Sequence, residues 1–408
     1  MKYSIACLFS FLLFSSVLCA LAPDSLYEEN PVPEPLGGGK SKNATLKILY
    51  VPNTITSQDA EEVIRQLDAW LRDVKSRGAS PGLILPVYVP LFPDVSDSSE
   101  LAKRFPQIKT KLQLAKLAAK DQTAFTILEA YFEQNSKIIM EFFSNIIITN
   151  NISVETAQQL KEQTPFLYAI LKWLGSNDLF YVEIEESNFG AVLQRTLVAE
   201  YSQAARDAYI DGKYDKYIEN LQNSIEHLAE LEKIRGRHLG ESLDKAVSRG
   251  ISMVVLSDDP SLIATTLPSA QVQNPQKNIM TLLNSKALAP HIELAMRKRH
   301  NIPLTKNKKE FLMASAYLVD SLSAVLIDKH PQWTTSKAVF IARKISEHFT
   351  LLELKEISRQ FKRSEDAGMN YIDKILSDRI SEEEQAFLTS SDADISEPLP
   401  LGFIETAA

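Results

Sequence analysis

Cysteine is nearly missing from this 408-residue chain. The two present, Cys7 and Cys19, both lie in the first twenty residues. Beyond that point disulfides, zinc–thiolate sites and cysteine nucleophiles are excluded. A surplus of positive charge is missing too. The formal net charge is −8 and the isoelectric point about 5.5, so no nucleic-acid partner is expected through a basic surface. The signatures of nucleotide and hydrolase sites are also missing. There is no G-x-S-x-G elbow, no phosphate-binding G-x-x-x-x-G-K and no G-x-G-x-x-G. The six histidines include no pair at the spacing of a metal-binding helix. Past the first twenty residues no segment reads as both long and apolar enough to span a bilayer, so no transmembrane segment is expected in the mature chain.

The most distinctive feature present is the N-terminus. Lys2 precedes an apolar run from Ile5 to Leu18, and small residues follow at Ala20 and Ala22. This is the pattern of a secretory signal over residues 1–20, cut after Cys19 or Ala20. The exported chain, periplasmic or secreted, would then carry no cysteine, which favours a bacterial source. Lipid anchoring through Cys19 is the minority alternative, because Leu18 is bulky for the position before a lipidated cysteine. Residues 21–45 form a linker in which Pro31-Val32-Pro33-Glu34-Pro35 precedes Gly37-Gly38-Gly39.

The folded body is expected to be α/β, with a small, mainly parallel sheet, a large helical insertion and a following all-α region. Its α/β part covers residues 46–290 with the insertion at about 98–174. The helical region covers 291–388, and residues 389–408 are an acidic tail. The organising stretch is a long polar helix from Asp215, a turn at Gly250 and an apolar strand, Ile251–Leu256, ending at Ser257-Asp258-Asp259-Pro260. An unbroken apolar run of that length suits a strand buried on both faces. Further strands are expected at Leu46–Val51, around Leu83–Val89 and at Leu179–Glu185. Pro86 points to an edge or bulge for the second. Thr56 and Asp59 resemble a capping box opening the first helix.

Ligands of open α/β sheets bind beyond the carboxyl ends of the strands. Glu185 and Glu186 end one expected strand, and Asp258 and Asp259 end another. Paired carboxylates there suit a divalent cation such as Mg²⁺ or Ca²⁺, with Asp258 and Glu185 as ligands, or acid–base work. Acidic turn residues and helix caps are the commoner explanation of such clusters. His238, near Arg235 and Arg237, is a further candidate base; Gly236 and Gly240 read as a strip for close helix packing. The basic run Arg297-Lys298-Arg299-His300 reads as a solvated hinge, with an anionic partner as the alternative. Two functions follow: an exported soluble protein that binds a protein partner or small ligand, or a metal-assisted hydrolase using Asp258, Asp259, Glu185 and His238.

The order strand, helix, strand, helical insertion, strand ending in acid, Arg-bearing long helix, strand resembles that of the TraB-like and ChaN-like families, over about Leu46 to Leu267. Those families carry histidines where this chain has Pro52-Asn53-Thr54 and Ser257-Asp258-Asp259. The resemblance implies architecture, and no activity is carried over from it.

Overall fold

A computed structural model describes residues 45–51, 57–85, 92, 99–133, 158, 165–184, 188–257, 275–284, 286, 288–379 and 404–406. The chain is a largely helical mixed fold around a small, mainly parallel sheet. The sheet begins with β1 (Leu46–Tyr50), β2 (Ser80–Leu85), β3 (Tyr181–Ile184) and β4 (Ile251–Ser257), and ends with the three-residue β5 (Ile404–Thr406). The strand order is β3-β2-β4-β1-β5, with only β5 antiparallel. The described helices are α1 (Ser57–Ser76), α2 (Ser99–Arg104), α3 (Lys111–Ala118), α4 (Pro165–Gly175), α5 (Phe189–Ile210) and α6 (Tyr214–Ser248). They continue with α7 (Pro275–Asn284), α8 (Pro290–Arg299), α9 (Lys306–Lys329), α10 (Thr335–Ser346), α11 (Leu351–Arg363) and α12 (Glu365–Arg379). Residues 122–133 are also helical.

Every residue of β4 is buried, as its apolar run requires. Alternation along the strands sends Val254 and Leu256, with Leu49, Val51, Leu83 and Leu85, against Val63, Leu67, Trp70, Leu71 and Val74 of α1 and Ile170 and Trp173 of α4. Met253 and Val255, with Leu46, Ile48 and Ile84, meet Leu239, Leu243 and Ala246 of α6 on the other face. The turn between α6 and β4 uses Gly250 at φ 78°, a conformation in which a side chain is disfavoured.

β2 corrects an expectation. It lies between β3 and β4, not at an edge. Pro86 and Val87–Val89 lie outside the described residues. A proline does occur inside β2, at Pro81. Its carbonyl accepts from Phe180 N–H (2.9 Å) just before the β2–β3 register begins at Gly82 and Tyr181, so the missing N–H lies on the β3 side, ahead of that strand's first paired residue.

The remaining helices build a second large core. Ala205, Ala208 and Tyr209 of α5 and Tyr217, Leu221, Ile225 and Ala229 of α6 pack with α8 to α12. α6, at 35 residues about 52 Å long, therefore serves this core with its first half and the sheet with its second. The buried Tyr217 hydroxyl donates to Met313 O (2.7 Å) and accepts from Tyr317 N–H (3.3 Å), bridging two residues four apart in α9. Burial raises its pKa well above the ordinary tyrosine value and keeps the donor protonated.

α9 overturns the reading that no later segment is long and apolar enough to cross a membrane. Its 24 residues contain a window of mean hydropathy 1.5, because its lysines lie at the two ends, Lys306, Lys308 and Lys309 in the first turn and Lys329 in the last. In this fold its Leu312, Met313, Ala314, Ala316, Leu318 and Val319 are core residues.

Asp59 has a role beyond the capping pattern, and one further expectation changes. Asp59 is fully buried and faces α10, accepting from Thr335 N–H at 3.1 Å to both carboxylate oxygens and from Thr335 Oγ1 at 2.6 Å; Thr56 lies outside the described residues. The basic run is not a solvated hinge. It forms the last turn of α8, where Lys298 pairs with Glu226 (3.0 Å), Arg299 lies 3.6 Å from Glu232, and Arg297 binds the buried Glu293 (2.8 Å). Glu293 also binds the buried Arg343 of α10 (2.7 Å), whose other guanidinium nitrogen donates to Leu288 O (2.8 Å). Arg297, Arg299 and Arg343 are largely enclosed and hold helices together, while Lys298 stays exposed in its pair with Glu226.

Two stability outcomes follow. A Cβ at Gly82 would collide with the Met253 side chain and come within 2.9 Å of Ile251 Cγ2. Gly82→Ala is therefore expected to destabilise by roughly 1–3 kcal/mol in urea unfolding. Asp59→Ala leaves the Thr335 donors unpaired in a buried joint and is expected to cost roughly 2–4 kcal/mol. Asp59→Asn, which keeps an acceptor, should recover part of that loss.

Candidate functional site

The parallel arrangement brings the carboxyl ends of β3 and β4 to one edge of the sheet, with β2 between them. Register places Ile184 beside Leu85 and, through β2, level with the last residues of β4. Two inter-strand spacings separate the flanking strands, about 10 Å. One cation shared by residues following both strands would have to be reached across the end of β2. Glu185, Asp258 and Asp259 lie outside the described residues. Among the described residues no group of three or more His, Asp or Glu side chains could hold a metal ion.

His238 is described, and it is exposed on α6. Its Nε2 meets the Asn188 side-chain amide. Asn188 caps α5, with Oδ1 accepting from Ala191 N–H (2.7 Å). The cap fixes the amide so that Nδ2 donates and Nε2 of a neutral His238 accepts, leaving the ring proton on Nδ1. His238 thus joins α6 to the start of α5. Arg235 is buried and Arg237 exposed; Gly236 and Gly240 are both buried.

Beside this contact lies a cleft of about 340 Å³, lined by Ala118, Lys120, Asp121, Gln122, Phe125, Gly190, Leu193, Gln194 and Ile234 among others. Its position follows from the sequence order. α5 starts a few residues after β3, so its first turns stand at the carboxyl edge of the sheet. Phe189, Val192, Leu193 and Leu197 anchor α5 to α2, α3 and residues 122–133. Asp121 starts that last helical segment, its Oδ1 accepting from Ala124 N–H (2.9 Å). Among the described residues, the Lys120 ammonium and the Gln122 amide have no protein partner.

Behind Gln194 stands His227, whose Nδ1 lies 2.8 Å from Gln194 Oε1 and whose ring stacks on Tyr201. Lys116 sits over the same tyrosine ring. Burial lowers the pKa of His227, with Lys116 and Lys298 adding to the effect and Glu226 opposing it. At neutral pH the ring is therefore uncharged, with Nδ1–H donating to Gln194. None of Lys120, Gln194 or His227 stood out in the sequence. The one local signal was Asn188-Phe189-Gly190, a cap residue followed by a glycine at which a Cβ would come within 3.2 Å of the capping Asn188 Oδ1.

Comparison with protein-family models, curated proteins and solved structures finds no match.

Following the His227 ring signals by NMR across pH should give a midpoint below 6.5. Because the folded form resists protonation, this histidine makes the protein less stable as pH falls from about 6.5 to that midpoint, and contributes no pH dependence above 6.5.

Proposed function

We propose that this is an exported soluble protein that binds a small ligand in the cleft at the head of α5. The observation that carries the reading is the cleft's chemistry. Ala118, Phe125, Leu193 and Ile234 line it together with Lys120, Asp121, Gln122 and Gln194, so apolar surface and several polar groups face one concave space, as a small polar ligand would need. Export rests on the charge and apolar pattern of residues 1–20. We also read the chain as an α/β body with a helical insertion followed by an all-α region. The separate cores at the sheet and around α9 support that division, although α5 and α6 contribute to more than one core.

The second reading is a metal-assisted hydrolase using Asp258, Asp259 and Glu185. The common edge of β3 and β4 favours it; the intervening β2 and the use of His238 Nε2 by Asn188 weigh against it. Asp258→Ala and Glu185→Ala would abolish a metal-dependent activity under that reading and change little under the first.

Native mass spectrometry of protein taken from the exported fraction of its own cells separates them. Ala119→Trp adds bulk at an exposed cleft position and should leave stability within about 0.5 kcal/mol. A bound organic mass on the parent, absent from Ala119→Trp, supports the cleft. A bound mass retained by Ala119→Trp, or a divalent metal in its place, counts against it.

A further inference from the structure

Two ionisable side chains line the cleft at the head of α5, Lys120 and Asp121. Asp121 is committed to the helical segment it opens. Its Oδ1 accepts from Ala124 N–H (2.9 Å), at a helix start where negative charge is favoured. Lys120 is exposed and, among the described residues, forms no ion pair. Four residues earlier, Lys116 lies 4.7 Å from the centre of the Tyr201 ring and also pairs with no carboxylate among the described residues. Gln194 adds a donor of fixed sense. Its Oε1 accepts from Nδ1–H of the uncharged His227 at 2.8 Å. Nε2 is then the end of this amide without a protein partner among the described residues, and it can only donate.

We infer that the ligand of this cleft is a small carboxylic acid in its anionic form, with an aromatic or branched alkyl body; the inference rests on the reading that the cleft binds a small ligand. The carboxylate takes the Lys120 ammonium and the Gln194 Nε2 donor, and the body meets Phe125, Leu193 and Ile234. The donor set selects the charge. A carboxylate only accepts, and its two oxygens can serve both donors at once. An amine would find Asp121 alone, with one oxygen already used by the helix it caps. A neutral amide would forgo the attraction of the ammonium, and a phosphate would bring two charges to one lining cation. Size selects the body. At about 340 Å³ the cleft is near the lower end of the usual range for small-molecule sites, roughly 300–1,000 Å³. That volume suits one ring or a short branched chain.

The test titrates benzoate, benzamide and benzylamine, three probes with one ring and different charge, into the isotope-labelled full chain and follows its NMR spectrum. Benzoate should shift the amides of Gly190, Leu193, Gln194 and Ile234 and the His227 ring signals saturably, and should not do so in Ala119→Trp. It should bind the parent about fivefold more tightly than benzamide, the scale of one exposed ion pair, and lose that margin in Lys120→Gln and at high salt. Lys120→Glu should reverse the preference towards benzylamine. Lys120 is exposed, so these variants should keep the parent's circular dichroism. Binding of benzamide or benzylamine at these residues as tight as that of benzoate overturns the anionic class and leaves the cleft standing. So does an organic mass that co-purifies with the parent and is lost from Ala119→Trp while benzoate shifts nothing. No shift from any probe, with no such mass, overturns both this inference and the reading beneath it.

Discussion

The fold depends on a strand that has no polar face. Each residue of β4 is buried, so water can be excluded only if helices cover the sheet on both sides. That requirement sets the positions of α1 and α4 on one face and the second half of α6 on the other. It also explains the glycine at position 82. The Met253 and Ile251 side chains fill the space above β2, and no other residue type fits beneath them.

Around that apolar centre, helices are joined by buried polar contacts of defined geometry. Asp59 binds the start of α10, Glu293 binds arginines from α8 and α10, and Tyr217 reaches the α9 backbone. Each would be costly if only half made, so each fixes which helices meet and in what register. The basic turn at Arg297–Arg299 belongs to this set, which is why its charge says little about an external partner.

The sequence made the centre legible and the joints illegible. The stretch from Asp215 through Gly250 to Leu256 was readable because helix period, turn glycine and an unbroken apolar run agree with one another. The edge assignment for β2 failed because Pro86 was counted inside a strand that ends at Leu85. Asp59 also binds a partner 276 residues away, a role that its place in the first turn of a helix does not announce. The cleft was invisible for the same reason. Lys120, Gln194 and Ile234 come from separate parts of the chain, and no spacing rule links them. The strand-end acids came from a real property of the sheet, the shared edge of β3 and β4; strand order, which placed β2 between them, could not be read from the sequence.

The length of α6 has a consequence for how the molecule comes apart. A single rigid helix carries Tyr217 in the helical core at one end and Leu243 against the sheet at the other. Neither core can lose its packing without freeing half of a rod on which the other depends. Unfolding should therefore be coupled across most of the protein, with the amides at the middle of α6 exchanging with solvent only in the global transition.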